Sequence, residues 1–247
     1  MNNAVDVLIN CRNPQPIINS NGFTIVKEDK PMNQLLQIMT LAIGLTYPLA
    51  ASADTKEVIV NRSNLQIAYE EVDGKSFLYY KGYIDSGSGI RLKRMFMTYD
   101  PDMFVISSGG GLVTDAYMIG RHIADHNISV IVEKNSLCMS ACAMIVMASD
   151  DLTIEGKIGF HTPYLTFLPT EFSIIEALKN HSRDISDFVN YFHENGYSNS
   201  LVNDILRQTS KNTFITFDNE QDLLSFRTYD IDVRPENYYS LYKIEEM

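Results

Sequence analysis

The sequence has few positively charged residues. The 247 residues include 20 lysines and arginines against 31 aspartates and glutamates, which gives a net charge of −11 at neutral pH. A surplus of negative charge repels phosphate groups, so nucleic acid and anionic membrane surfaces are not expected as partners. Hydrophobic residues make up 45% of the chain, and its length is sufficient to bury a sizeable core. These values indicate a folded globular protein.

A second absence is local, because no charged residue occurs from residue 31 to residue 53. The segment contains an apolar run over 35–45, a helix-breaking Pro48, and a final "ASA" that fits the small-x-small cleavage rule. It predicts a signal peptide over residues 32–53. A retained membrane anchor and an ordinary buried helix are the alternatives, and the polar residues within the segment argue against the anchor.

Residues 1–31 precede this segment, although a signal peptide normally begins a chain. We interpret them as an N-terminal extension upstream of a true start at Met32. Residues 54–247 contain no internal repeat and no low-complexity linker, which predicts a single domain. The expected location is the periplasm or another extracytoplasmic compartment, with membrane attachment only if residues 32–53 are retained.

Strand and helix patterns alternate along residues 54–247. Segments rich in aromatic and β-branched residues predict early strands at 58–60, 65–69 and 77–84. The later predicted elements are a strand at 103–107, a helix at 112–125, a strand at 128–134, a wholly apolar helix at 139–148, short strands in "DLTIEG" and "KIGFH", a helix over about 171–193, a helix at 201–208, a strand in "TFITF" and a closing helix near "NEQDLLSF". This alternation indicates an α/β fold with a largely parallel sheet and surrounding helices.

Three consecutive glycines, Gly109, Gly110 and Gly111, separate the strand at 103–107 from the next helix. Glycine tolerates positive φ and lets main-chain N–H groups point at a ligand, so such loops bind phosphates or a developing oxyanion. The dinucleotide pattern G-x-G-x-x-G is not met and no G-K-[ST] follows, so nucleotide binding is weakly supported. A tight turn without a ligand is the alternative.

Ser140 and His161 are the candidate catalytic side chains. Ser140 lies at the start of the apolar helix, where its hydroxyl faces the positive end of the macrodipole and the Ala141 amide lacks a helical partner. His161 ends a short apolar strand and precedes a proline-containing turn. These features suit a serine nucleophile and its base. An ordinary N-cap serine and a core histidine are the alternatives.

In this order, the motifs resemble the proteolytic subunit of Clp protease and its crotonase-like superfamily, and more closely the exported Clp-like proteins of bacteria. "SGGGLVTDAYMI" is similar to the family's S-P-G-G-x-V-T-x-G segment, with Gly109 in the proline position. "MSACA" resembles the segment around the nucleophile, and "GFHTP" resembles the segment with the catalytic histidine. The resemblance covers about residues 77–232 and implies a Clp/crotonase-like ββα spiral.

The resemblance implies an exported serine hydrolase of the peptidase type, which acts on peptides or proteins and forms a homo-oligomer. In it, Ser140 attacks a carbonyl carbon and His161 transfers the proton. The oxyanion hole consists of Gly110, Gly111 and Ala141, with the amides of the last two binding the oxyanion. No metal and no cofactor are implied.

The third catalytic residue is where this sequence departs from the family. Aligning "RQTSKNTFIT" with the family's acidic R-D-T segment places Gln208 in the aspartate position, and Asp204 lies one helical turn earlier. A glutamine carbonyl accepts a hydrogen bond from the histidine but does not stabilise imidazolium as an anion does. Either Asp204 reaches His161, or activity is reduced or lost. An inactive Clp-like peptide-binding or assembly protein is therefore the second hypothesis; an acyl-CoA enzyme of the crotonase branch is disfavoured by export.

Cys138 and Cys142 flank Ser140 at a spacing of four residues. In a helical segment their Cα atoms lie about 6 Å apart, within the range of a disulfide. Such a bridge would brace the nucleophile turn in an oxidising compartment. The spacing, without a nearby histidine or acid pair, argues against zinc. Two small buried thiols are the alternative.

Overall fold

A computed structural model of the protein describes residues 17–18, 24–27, 55–62, 64–164, 174–228 and 240–247. The predicted signal peptide or anchor at 32–53 lies outside these residues, and so does the predicted extension at 1–31 apart from two short strands. Within the described part of the chain, no helix has the length and hydrophobicity needed to cross a membrane.

The described residues form two sheets and the helices that cover them. The strands are β1 (Ile17–Ile18), β2 (Thr24–Lys27), β3 (Thr55–Arg62), β4 (Leu65–Val72), β5 (Lys75–Gly82), β6 (Met103–Ser107), β7 (Ser129–Val132), β8 (Leu137–Met139), β9 (Leu152–Ile154), β10 (Lys157–Phe160), β11 (Thr213–Phe217) and β12 (Lys243–Glu246). The helices are α1 (Ser88–Tyr99), α2 (Val113–His126), α3 (Ala141–Val146), α4 (Ile174–Glu194), α5 (Asn199–Gln208) and α6 (Glu220–Leu224).

The larger sheet joins an antiparallel part to a parallel part. Its strand order is β1-β2-β3-β4-β5-β6-β7-β9, with antiparallel pairs up to β5 and parallel pairs from β5 to β9. Asp73 and Gly74 both have positive φ, 51° and 77°, which suits the two-residue hairpin between β4 and β5. Helices α1 and α2 supply the crossovers that parallel neighbours require.

The smaller sheet, in the order β12-β11-β10-β8, lies at the end of the larger one. Strands β8 and β10 pair in parallel, and the other pairs are antiparallel. An isolated bridge between Ser108 and Cys138 connects β8 to the residue that follows β6. This bridge brings the three-glycine loop to the strand that precedes Ser140.

The core surrounds α3, whose six residues are all buried. The sequence predicts a longer helix at this place, apolar on every side, and the burial agrees with that pattern. Helix α3 contacts both α2 and β10, so it lies between a covering helix and the smaller sheet. The architecture is mixed α/β, with a mostly parallel central sheet and surrounding helices, as the alternating pattern predicts.

Helix α1 is the largest difference from the sequence prediction, which left residues 88–99 unassigned. The residue before this helix is Gly87, in the left-handed conformation, so no side chain at that position caps the first turn. The usual N-terminal signal of a helix is therefore missing from the local sequence. Its apolar face is nevertheless buried, through Leu92, Met95 and Phe96.

Candidate active site

Ser140 occupies the sharp turn between β8 and α3. Its φ of 58° and ψ of −124° lie in a sparsely populated region for a residue with a side chain. A hydrogen bond from the Ser140 N–H to the Gly159 carbonyl, at 2.8 Å, fixes the turn against β10. Backbone strain of this kind persists only where the surroundings hold it, and it is concentrated at functional sites.

The hydroxyl of Ser140 and the imidazole of His161 form a hydrogen bond, with 2.6 Å between Oγ and Nε2. The parallel pairing of β8 and β10 explains this contact between residues 21 positions apart. Met139 is in register with Gly159, so the residues that follow both strands emerge at the same edge of the sheet. The predicted nucleophile and base therefore lie together.

The imidazole of His161 lies in an apolar environment and is only 7% exposed. Its ring contacts Phe214 edge-on, with 4.7 Å between ring centroids, and lies 5.3 Å from the ring of Tyr164. Burial penalises the charged imidazolium and lowers the pKa of His161 below its usual 6.5. The neutral ring is the form that can accept the proton of Ser140.

The far side of the same imidazole is not built as the sequence predicts. Nδ1 of His161 is buried and has no hydrogen-bond partner among the described residues. Gln208 is exposed at the end of α5, and the carboxylate of Asp204 accepts a hydrogen bond from the Tyr242 hydroxyl at 2.6 Å. Neither Gln208 nor Asp204 is hydrogen-bonded to Nδ1 of His161.

Two threonines, which the sequence analysis missed, hold the histidine loop against α5 instead. The Thr162 N–H donates to the Thr209 hydroxyl at 2.8 Å, and the Thr162 hydroxyl donates to the Ile205 carbonyl at 2.9 Å. Both residues directly follow a predicted catalytic position, His161 and Gln208. That adjacency is the signal that sequence reasoning could have used.

The three-glycine loop lies directly over Ser140. A Cβ atom on Gly110, whose φ is 105°, would come within 2.7 Å of the Ser140 Cβ, so only glycine permits this approach. The Gly110 N–H donates to the Ser108 hydroxyl at 3.0 Å. The Gly110 N–H is thus not an oxyanion donor. Gly110 contributes to the site because it has no side chain that would clash with Ser140.

The amides of Gly111 and Ala141 are the donors that remain. No acceptor among the described residues takes the N–H of Gly111 or the N–H of Ala141. Ala141 is the first residue of α3, where N–H groups have no partner within the helix. Hydrogen bonds from two such amides are what the oxygen of a tetrahedral intermediate requires.

A disulfide joins Cys138 to Cys142 around the nucleophile turn, with 5.0 Å between their Cα atoms. Cys138 lies in β8 and Cys142 in the first turn of α3, so the bridge ties together the two elements that flank Ser140. Both cysteines are fully buried. Of the two alternatives for this pair, the structure has the bridge rather than free thiols.

A small cavity of about 20 Å³ adjoins Ser140 and His161, and most of its lining is apolar. The apolar side chains are Val113, Met144, Phe160, Pro163 and Phe188. A larger cavity of about 520 Å³ lies on a face of the larger sheet and includes neither Ser140 nor His161.

Within the described residues, no group of three or more histidine, cysteine, aspartate or glutamate side chains is arranged to hold a metal ion. No protein-family model matches the sequence, and no curated protein is significantly similar to it.

Proposed function

We propose that this protein is an exported serine hydrolase, a peptidase on a Clp/crotonase-like fold. The observation that carries the proposal is the 2.6 Å hydrogen bond between Ser140 Oγ and His161 Nε2. It occurs at a strained turn, and the N–H groups of Gly111 and Ala141 have no acceptor among the described residues. Nucleophile, base and oxyanion donors are the three parts that acyl transfer requires.

In the proposed reaction, Ser140 Oγ attacks the carbonyl carbon of a peptide bond while His161 Nε2 accepts the hydroxyl proton. The carbonyl oxygen becomes an oxyanion held by the N–H groups of Gly111 and Ala141. The intermediate collapses, His161 protonates the leaving amine, and an acyl-enzyme remains on Ser140. Water, deprotonated by His161, then attacks the acyl carbon. The bond from that carbon to Ser140 Oγ breaks, His161 returns the proton to Oγ, and the product acid leaves.

The proposed catalytic unit is a Ser140–His161 dyad. Imidazolium forms transiently in the reaction, and no anion among the described residues is bonded to Nδ1 to stabilise it. In a related triad, replacing the aspartate by asparagine lowers the rate about 10⁴-fold. We therefore expect slow hydrolysis from this dyad.

One feature supports the proposed export. The disulfide of Cys138 and Cys142 is of the kind that persists in oxidising compartments and is rare in the cytosol. The proposed self-association follows from the family resemblance, because a single exposed apolar residue such as Leu178 on α4 is ordinary on a protein surface.

Labelling with a fluorophosphonate tests the proposal, because the reagent phosphonylates an activated serine. We expect one adduct on the wild-type protein, located at Ser140 by peptide mass spectrometry, and none on Ser140→Ala. Ser136→Ala, which removes a nearby serine outside the site, is the matched control and should be labelled like wild type. Equal labelling of wild type and Ser140→Ala would refute the nucleophile assignment.

The second candidate function is a catalytically inactive Clp-like protein that binds peptides or assembles with partners. The observation that favours it is the unpartnered Nδ1 of His161, together with the exposed Gln208 in the place of the acid. In that case the wild-type protein would remain unlabelled, and peptide binding measured by fluorescence anisotropy would be the same for Ser140→Ala and wild type.

A further inference from the structure

Asp115 caps a helix to which it does not belong. It lies in the first turn of α2, and its Oδ1 accepts hydrogen bonds from the N–H groups of Gly87 and Gly89, at 3.0 and 2.8 Å. These amides lie at the start of α1, where first-turn N–H groups lack partners within the helix. Because Gly87 has no side chain, the carboxylate of Asp115 supplies the missing cap.

The start of α1 is held directly against α2 at this point. A Cβ atom on Gly89 would lie 2.9 Å from the Met118 Sδ and 3.1 Å from the carbonyl oxygen of Asp115. A side chain at that position would require Met118 and the Asp115 carbonyl to shift. Loss of the Asp115 carboxylate would leave two amides without their acceptor in this close contact.

The turn that precedes α1 is also the support of the glycine loop. The Ile84 N–H donates to the Gly110 carbonyl at 2.9 Å, and the Leu112 N–H donates to the Ile84 carbonyl at 2.8 Å. A Cβ atom on Gly111 would overlap the Ile84 carbonyl. The orientation of the Gly111 peptide therefore follows from the position of Ile84.

Inferring from these contacts, we propose that Asp115 is a positioning residue for the oxyanion hole. Its carboxylate fixes the turn at 84–89, that turn fixes the peptide of Gly111, and the Gly111 N–H then points at the developing oxyanion. This inference rests on the proposed hydrolase function. Misplacement of a catalytic donor by about 1 Å costs up to roughly 10²-fold in rate, so a capping bond remote from the chemistry can govern turnover.

Comparison of Asp115→Ala with Asp115→Asn separates the loss of the hydrogen bonds from Gly87 and Gly89 from the loss of the negative charge. Both variants remove the charge, but the asparagine carbonyl still accepts from the two amides of Gly87 and Gly89. Asp125→Ala, on the solvent-exposed side of α2, is the matched control for an aspartate lost from the same helix. Hydrolysis of p-nitrophenyl acetate provides kcat and KM, and the rate of fluorophosphonate labelling provides an independent measure.

For Asp115→Ala we expect kcat and the labelling rate to fall about 10- to 100-fold, with KM within about twofold of wild type. Asp115→Asn and Asp125→Ala should stay within about threefold on all three measures. A capping residue with a purely structural role would lower the melting temperature of Asp115→Ala and leave kcat unchanged at temperatures well below unfolding. That result would overturn the proposal.

Hydrogen exchange provides a readout that does not depend on activity. The amides of Ile84 and Leu112 donate the two bonds that connect the turn to the glycine loop, so both should exchange faster in Asp115→Ala and at the wild-type rate in Asp115→Asn. Unchanged exchange in Asp115→Ala would overturn the coupling. Failure of the hydrolase function would appear separately, as equal labelling of wild type and Ser140→Ala, whatever the exchange rates are.

Discussion

The two sides of the His161 ring differ sharply in how they are built. On the Nε2 side, the Ser140 hydroxyl lies at 2.6 Å within a turn that is held by β10, the glycine loop and a disulfide. On the Nδ1 side, the nitrogen is buried without a partner among the described residues. The side of the ring that faces the proposed nucleophile is hydrogen-bonded, and the side that would face an acid is not.

The packing around Ser140 restricts which residues can stand at the nucleophile position. The packing at Gln208, the expected acid position, does not. Ser140 and Ala141 lie in one tightly bonded turn, and a Cβ added to Gly110 in the neighbouring glycine loop would clash with it. Gln208 lies at an exposed helix end, where substitutions meet little steric resistance. Neutral His161 should therefore act as the base. No anion among the described residues is bonded to Nδ1 to stabilise its protonated form.

The pH dependence of activity is the sharpest test of that comparison and has the largest expected effect. Burial lowers the pKa of His161, so the neutral form should persist below pH 6.5. The labelling rate should be constant through the neutral range and fall about tenfold per pH unit only below the lowered pKa.

Measurement of the fluorophosphonate labelling rate between pH 4.5 and 8, with circular dichroism to verify folding, checks this expectation. A carboxylate bonded to Nδ1 would raise the pKa of His161 and move the inflection above 6.5. An inflection above 6.5 would show that an anion is bonded to Nδ1 as well as the Ser140 hydroxyl to Nε2.

Removal of the disulfide loosens the turn at Ser140 and should have an intermediate effect on the labelling rate. In the double variant Cys138→Ala/Cys142→Ala, we expect the labelling rate to fall about tenfold, because the strained turn at Ser140 and the Ala141 amide lose their tether. The melting temperature should also fall, since a short-loop disulfide contributes about 2 kcal/mol.

Mild reductant applied to the folded wild-type protein is the control for this variant. The buried bridge should resist reduction, so the labelling rate should not change. A double variant with the wild-type labelling rate would show that β8 and α3 hold the turn without the disulfide.

Substitutions of Gln208 and Asp204, the candidate partners of Nδ1, should have the smallest effect on the labelling rate. Gln208→Ala and Asp204→Asn should each label within about twofold of wild type, because neither side chain is bonded to Nδ1. Asparagine at 204 keeps an acceptor for the Tyr242 hydroxyl, so the fold is preserved in that test. A loss of 10²-fold or more in either variant would identify the third catalytic residue.

Much of the fold and the attacking half of the site could be predicted from the sequence. The strand at 103–107 agrees with β6 residue for residue, because a short apolar run between turn residues has few other ways to be buried. Ser140 was identifiable at the start of an apolar helix, and His161 at the end of a short apolar strand. Their contact required only the parallel pairing of β8 and β10.

Other features could not be predicted from local pattern. Helix α1 lacks a capping side chain of its own, and its cap, Asp115, comes from the next helix in the chain. The third catalytic position, Gln208 or Asp204, stays a prediction. Spacing along α5 places Asp204 one turn before Gln208, but only the tertiary contact with Tyr242 shows where that carboxylate points.

The sequence by itself determined which elements alternate and which residue types stand at their ends, since hydrophobic periodicity and glycine runs are local properties of the chain. Tertiary structure alone decided which amide of the glycine loop is free, whether Cys138 and Cys142 are bridged, and which groups face Nδ1 of His161. These outcomes depend on directions and distances between residues far apart in the chain, and no local spacing specifies them.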